Sequence, residues 1–210
     1  MAGTITKLEV QKKNKERVNV FIDGDYALAV TLNVALELKK GQQLSDTEIE
    51  RLQQQDQRHK AYNRALSYLS FRARSRVEME RYLRGKKYEP DVIADTLARL
   101  AEENLLDDAA FAEAWVEDRS RFKPKSASAL RYELRQKGLK AADIEEALTD
   151  LNEVELAWQA LEPKLHQWQR LEEPDFRKKA MGFLGRRGFS YEIVRQAVER
   201  GWQRLEEEDR

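Results

Sequence analysis

Apolar residues alternate with other residues over 18–22 and again over 26–30, with Asp23-Gly24-Asp25 between the two stretches. A period of two is typical of half-buried strands, and Asp-Gly is a strong hairpin signal. Together with the apolar pair Leu8 and Val10, this pattern predicts three short antiparallel strands. Two or three strands bury little apolar surface by themselves. We therefore expect this element to pack against a helix or a partner protein. The pattern also predicts two short helices after the strands, over 33–39 and 46–55.

From about residue 57 the apolar spacing becomes helical and repeats along the chain. A shift of 51 residues places Ser75 on Ser126 and Leu83 on Leu134, and a further 50 residues place Leu134 on Leu184. A period near 50 is too long for two-helix repeats and suits three helices. The predicted fold class is therefore mainly α, with three tandem three-helix repeats, their handedness left open, after a small N-terminal antiparallel β element. The predicted segments are 1–56 for the β element and short helices, 57–104, 105–151 and 152–205 for the repeats, and 206–210 for an acidic tail.

Helix boundary signals agree with this division. Ser75 and Glu78 have the spacing of a capping box. Gly138 and Gly188 follow basic residues where a middle helix should end, the usual place of a left-handed residue. The first repeat has Lys87 at that position, so we expect an irregular helix end there.

The composition limits the cellular compartments and the classes of protein that this chain can belong to. The 210-residue chain has no cysteine, so it forms no disulfide, and this fits a reducing cytoplasm. No apolar run is long enough to cross a bilayer, and the N-terminus, which opens with Thr4 to Glu9 and then a polar turn, does not resemble a signal peptide. The 38 basic and 38 acidic residues balance, which argues against a histone-like protein that coats DNA. We therefore expect a cytoplasmic protein without a membrane segment. We also expect it to be a monomer.

The balanced charge hides three basic clusters, within 72–87, 119–140 and 177–187, each on the predicted middle helix of a repeat and its flanks. A basic stripe that recurs along a repeat protein suits a long polyanion or an acidic filament groove. A purely structural explanation also exists, because cations near helix C-termini are stabilised by the helix dipole. We expect 119–125 to be largely a loop, where that explanation does not apply. The candidate filament- or DNA-binding residues are Arg72, Arg74, Arg76, Arg84, Lys86, Lys87, Arg119, Arg121, Lys123, Lys125, Arg131, Arg135, Lys137, Arg177, Lys178, Lys179, Arg186 and Arg187.

No set of residues predicts catalysis. His59 and His166 are the only histidines and lack ligand spacing, so both are expected in solvent. Asp107 and Asp108 precede a helical stretch, where a cap and a first-turn acid explain them better than a nuclease metal pair. The chain has no phosphate-binding glycine motif. We predict no enzyme activity, no metal and no cofactor.

Aromatic side chains leave two interpretations open. The four tryptophans are spread through predicted helices and are expected in the core, although Trp168 could be exposed. Phe122 and Tyr132 lie within the central basic run, where they could pack in the fold or stack on bases.

Several motifs together resemble the RecX family of regulatory proteins. They are Asn104-Leu105-Leu106-Asp107-Asp108-Ala109-Ala110-Phe111-Ala112, Tyr132-Glu133-Leu134-Arg135-Gln136-Lys137-Gly138-Leu139, Ala65-Leu66-Ser67-Tyr68-Leu69 and Ile5-Thr6-Lys7-Leu8-Glu9-Val10. The resemblance is weakest in the third repeat, and Lys123-Pro124-Lys125-Ser126 departs from it where a glycine is expected. It implies three three-helix units that bind RecA filaments, and often DNA, and inhibit recombinase ATPase, strand exchange and coprotease activity. The alternative is a helical-repeat protein that acts on single- or double-stranded DNA itself, through weak and non-specific binding.

Overall fold

The computed structural model describes residues 2–208. Its strands and helices are, in chain order, β1 Gly3–Val10, β2 Arg17–Ile22, β3 Asp25–Thr31, α1 Leu32–Ala35, β4 Gln43–Leu44, α2 Asp46–Leu69, α3 Arg76–Gly85, α4 Pro90–Glu102, α5 Asp108–Phe122, α6 Ala127–Gln136, α7 Ala141–Leu148, α8 Glu153–Trp168, α9 Glu173–Gly185 and α10 Tyr191–Glu208. The predicted class is confirmed, since a small antiparallel sheet precedes three-helix units. The last two residues of the predicted acidic tail lie outside the described residues.

The N-terminal sheet contains the three predicted strands and one more. Its strand order is β3-β2-β1-β4, and every neighbouring pair is antiparallel. Asp23 and Gly24 both have positive φ, 52° and 97°, as a tight two-residue hairpin turn requires. The alternating pattern did not predict β4, because a strand of two residues is too short to show a period.

The predicted end of the second short helix is wrong. Helix α2 begins at Asp46, as expected, but continues to Leu69 instead of ending at Gln55. The run around 53–57 is polar and shows no helical period, yet it has no proline or glycine that would end a helix. Asp56 within this run is buried, where it pairs with Arg17 of the sheet. The predicted limit at residue 56 therefore lies inside a continuous helix.

The chain divides into two compact units, with α3 crossing the division. The first unit runs to Ala73 and includes Met79–Leu106, and the second comprises Arg74–Glu78 and the chain from Asp107 onward. In the first unit, one apolar core lies between the sheet and α2, and another is formed by α2, α3 and α4. In the second unit, α5–α7 enclose one core and α8–α10 enclose another.

The predicted equivalence of the middle helices is confirmed. Leu83, Leu134 and Leu184 are each fully buried, in α3, α6 and α9 respectively. Gly138 and Gly188 have φ values of 82° and 86°, which are left-handed as predicted. Lys87 adopts the same conformation at φ 63° without being a glycine. Its N–H donates to the carbonyl of Arg84, as that of Gly138 donates to Arg135, so the irregular helix end expected in the first repeat is wrong and only the residue type differs. Among residues 2–208, no helix is both long and apolar enough to cross a membrane.

Candidate functional site

The eighteen candidate cations lie on α3, α6, α9 and the segments beside them, and they divide by exposure. Seven are half-buried: Arg74, Arg119, Lys125, Arg131, Lys137, Arg177 and Arg187. The other eleven are exposed: Arg72, Arg76, Arg84, Lys86, Lys87, Arg121, Lys123, Arg135, Lys178, Lys179 and Arg186. The candidate cations thus lie on the middle helices and their flanks, as predicted, but they differ in how exposed they are.

The expected loop over 119–125 is mostly helix. Helix α5 continues to Phe122, so Arg119 and Arg121 occupy its last turn. The helix ends at Phe122, and Lys123 after it is not helical, because the residue before a proline is disfavoured in helical geometry. The dipole explanation therefore applies to Arg119 and Arg121 after all. Only the short segment 123–125 separates α5 from Ser126, the cap of α6.

Glu133 of α6 holds part of the central cluster. Its Oε2 accepts hydrogen bonds from Trp115 Nε1 at 2.9 Å and from Arg119 Nε at 3.1 Å, while Oε1 accepts from Lys125. Burial disfavours the charged carboxylate, but the hydrogen bonds from Lys125, Trp115 and Arg119 outweigh it and hold the pKa of Glu133 below its ordinary value. This carboxylate thus fixes two candidate cations within the fold.

Four more candidate cations are held by carboxylates, each within one unit. Arg131 forms a two-pronged pair with Glu145, at 2.6 and 2.7 Å. Lys137 Nζ lies 2.7 Å from Glu78 Oε1. The other pairs are Arg84 with Glu80, and Arg177 with Glu173 and Glu199. These cations contribute to the fold, and their charge is partly neutralised before any partner arrives.

A smaller set of cations points to solvent without such partners. Within residues 2–208, no ion pair engages Lys123, Arg135, Lys178 or Arg186, and all four are exposed. They flank or belong to α6 and α9, the middle helices of the second unit. These side chains are available to bind phosphates or carboxylates, so they form the core of the candidate surface.

Two aromatic side chains of the central basic run are exposed. Phe122 is 67% exposed and Tyr132 is 65% exposed, so neither packs in the core. The Arg121 guanidinium lies 5.2 Å from the centre of the Phe122 ring. By contrast, the four tryptophans are buried or half-buried, and Trp168, whose exposure the sequence leaves open, is only 6% exposed.

The residues considered for catalysis have structural roles where the structure describes them. Asp107 caps α5, accepting from the backbone N–H groups of Ala109 and Ala110, and Asp108 accepts from the backbone of Arg76 at 2.7 Å. His59 is half-buried rather than solvated, and burial followed by the charge of Arg17 lowers its pKa. No group of three metal-ligating side chains occurs among residues 2–208.

Four RecX family models match this chain, one after another along the sequence. The RecX N-terminal domain matches residues 3–45, and the first, second and third three-helix domains match 61–100, 107–148 and 152–198. The relative named regulatory protein RecX from Bacillus subtilis is 37% identical over 93% of this chain and 76% of its own length. The chain belongs to the RecX family. The third repeat, where the motif resemblance is weakest, is matched like the other two.

Further RecX relatives and two solved RecX structures are also similar to this chain. Regulatory protein RecX from Clostridium botulinum is 32% identical over 92% of this chain and 94% of its own length. A crystal structure of regulatory protein RecX is 29% identical, covers 94% of this chain and 99% of its own, and has a TM-score of 0.72. A second crystal structure, RecX from Lactobacillus salivarius, is 27% identical over 69% of this chain and 96% of its own, with a TM-score of 0.61. The first two of these proteins are named as regulatory proteins.

Proposed function

We propose that this chain binds filaments of the RecA recombinase and inhibits their ATPase, strand-exchange and coprotease activities. It thereby modulates recombination, DNA repair and the SOS response in the cytoplasm, as a monomer without a cofactor. Membership of the RecX family supports this proposal. Within the structure, the observation that carries it is the recurrence of exposed, unpaired cations beside α6 and again beside α9.

A partner that matches this surface should present acidic groups or phosphates that also recur. A nucleoprotein filament does so, because each subunit and each nucleotide repeats along its length. Several modest contacts carried on one chain reinforce each other through effective concentration. The balanced net charge favours such a local match over general attraction to nucleic acid. The remaining candidate cations, including those held by carboxylates, are proposed to contribute less.

The test is RecA ATPase activity on single-stranded DNA with added wild-type or variant protein. The variant Lys123→Glu, Lys178→Glu, Arg186→Glu changes three exposed cations that no carboxylate within residues 2–208 holds. We expect it to inhibit at least ~tenfold more weakly, since each reversal removes a charged contact of the order of 1 kcal/mol. The matched variant Lys40→Glu, Arg170→Glu, Arg195→Glu makes the same charge change at exposed sites outside the three basic clusters and should inhibit like wild type.

Circular dichroism first establishes that both variants are folded. Equal inhibition by the two triple variants would reject the candidate surface. It would leave the exposed cations as a solvated face with no role in inhibition.

A second candidate function is binding of DNA itself, and the exposure of Phe122 and Tyr132 beside exposed cations favours it. Co-sedimentation with RecA-coated single-stranded DNA, bare DNA and free RecA separates the two candidates. Preferential recovery with the coated filament supports the regulator, and equal recovery with bare DNA supports the DNA-binding protein.

A further inference from the structure

A cleft in the first unit has an unusual lining for a chain with so many acidic residues. Its volume is about 600 Å³, within the ~300–1,000 Å³ typical of small-molecule sites. The turn between β1 and β2, strand β3, one face of α2, and residues 82 and 88 line it. None of the described residues that line the cleft is an aspartate or glutamate, although the chain has 38 of them. The lining therefore excludes negative charge and suits an anionic ligand.

Three cations give the cleft its charge. Arg17 is only 7% exposed, and its guanidinium lies 2.5 Å from Asp56 Oδ1 and donates to the Ala29 carbonyl at 3.3 Å. Lys60 Nζ lies 2.7 Å from the other oxygen of Asp56, so one carboxylate behind the cleft serves two cations. Arg64 is exposed, one turn further along α2, and no ion pair within residues 2–208 engages it. The cleft thus carries excess positive charge, with one cation held rigidly at its base.

The rest of the lining provides aromatic rings and amides. Tyr26 is 59% exposed, with its ring edge-on to Phe21 at 6.0 Å between centroids. Two further tyrosines of the lining, Tyr82 and Tyr88, are half-buried. Three amide side chains, Gln11, Asn14 and Asn63, complete the polar surface. Rings that can stack on a base, beside amides that can both donate and accept hydrogen bonds, are the groups that recognise unpaired bases.

We propose that this cleft binds one nucleotide unit, either free or within a single strand. Arg64 and Lys60 contact its phosphate, Tyr26 stacks on its base, and the side-chain amides of Asn14 and Asn63 meet the base edge. His59 also lines this cleft. Its pKa is lowered, first by burial and then by the positive charge of Arg17. This site lies in the first unit, apart in sequence from the cations of α6 and α9, and does not rest on the proposed function.

The experiment titrates the full chain with three probes: adenosine monophosphate, pentathymidylate and inorganic phosphate. Nitrogen–proton NMR spectra follow the side-chain amide signals of Asn14 and Asn63, which report on the cleft and not on the second unit. We expect saturable shifts with adenosine monophosphate, pentathymidylate or both. The probe that binds more tightly shows whether the cleft takes a free nucleotide or a nucleotide within a single strand. Inorganic phosphate should bind at least ~tenfold more weakly, because it has no base to stack.

Variants with matched controls locate the site. Arg64→Glu should weaken nucleotide binding at least ~tenfold, the effect of losing one charge-assisted hydrogen bond, and Tyr26→Ala should weaken it by about tenfold. Arg51→Glu makes the same change at an exposed position of α2 outside the cleft, and Tyr191→Ala removes a tyrosine that is 71% exposed elsewhere. Both controls should bind like wild type. Absence of saturable shifts, affinity for phosphate equal to that for nucleotide, or an unchanged Arg64→Glu variant would each overturn the proposal. Because no RecA is present, none of these results bears on filament inhibition.

Discussion

The hydroxyl of Ser75 donates a hydrogen bond to the carbonyl oxygen of Lys137 at 2.6 Å, so the start of α3 contacts the end of α6. One repeat later the same junction recurs, where the backbone N–H of Ser126 donates to the carbonyl of Arg187 at 3.1 Å. In both places a left-handed glycine follows the carbonyl residue. This junction therefore recurs between successive three-helix repeats, and it explains why glycine recurs after the carbonyl residue. The serines recur because both hydroxyls cap a middle helix, accepting from the backbone N–H groups of Glu78 and Ala129.

Gly138→Ala should destabilise the protein strongly. A Cβ at this position would lie 2.6 Å from Val77 Cβ, in addition to the strain of a left-handed residue at φ 82°. The left-handed backbone costs an alanine about 1–2 kcal/mol, and overpacking adds about 1–3 kcal/mol. Urea unfolding followed by circular dichroism measures the loss.

Gly41→Ala is the matched control, because Gly41 has a φ of 86° and a Cβ at this position would have no neighbouring atom within 4 Å. It should show the backbone cost alone. Equal losses for the two variants would mean that the close approach of Val77 does not constrain the junction.

Leu134→Ala should lower the free energy of unfolding by about 2–5 kcal/mol, because a fully buried leucine is replaced and a cavity remains. Leu36→Ala, at a leucine that is 76% exposed, should change stability little. Urea titrations of both variants test the assignment, and a loss at Leu36 as large as that at Leu134 would contradict it.

Asp56→Ala should cost about 3–5 kcal/mol, because it leaves Arg17 buried without its counter-charge. The double variant Arg17→Met, Asp56→Leu removes both charges and should be considerably more stable than the single variant. Thermal unfolding of the double variant and of its two single variants, Arg17→Met and Asp56→Leu, closes a cycle and measures the coupling. Additive losses would show that the pair is not coupled.

Glu133→Gln should destabilise the protein near neutral pH by about 1–3 kcal/mol, because Arg119 and Lys125 lose a charged acceptor. The folded-state pKa of Glu133 lies below its unfolded value, so its stabilisation is complete above the ordinary value of 4.5 and is lost as the pH falls through the lower, folded-state pKa. The difference between wild type and variant, measured by urea unfolding across this range, should therefore shrink in acid. A difference that is constant with pH would show that the carboxylate charge contributes nothing.

Binding to bare duplex DNA should be weak, independent of sequence and steeply dependent on salt. The exposed cations of α6 and α9 can reach phosphates, but they do not form an obvious base-reading helix. Fluorescence anisotropy with two unrelated duplexes over a salt series provides the measurement. Tight binding that discriminates between the duplexes at about 0.2 M salt would contradict this expectation.

Several features of the site were predictable from local signals. The caps at Ser75 and Asp107, and the left-handed residues at Gly138 and Gly188, follow from short-range residue preferences. The end of α2 was not predictable, because the polar run that contains Asp56 has no apolar period, and only Asp56 in this run is buried, where it meets Arg17. The helical state of Arg119 was not predicted either, although the position of Pro124 could have indicated that α5 continues until just before it.

The sequence by itself determined the three-helix repeat, its equivalent core leucines and the concentration of cations on the middle helices. These are periodic properties, since one buried helix face requires apolar residues at a fixed spacing. Only the tertiary structure decided which cations are held by carboxylates, as Glu133 holds Lys125, and which remain available, as Lys123 does. It alone brought Arg17, Tyr26 and Arg64 to one cleft. Ion pairs and clefts depend on distances between residues far apart in the chain, and those distances are set by packing and not by local sequence.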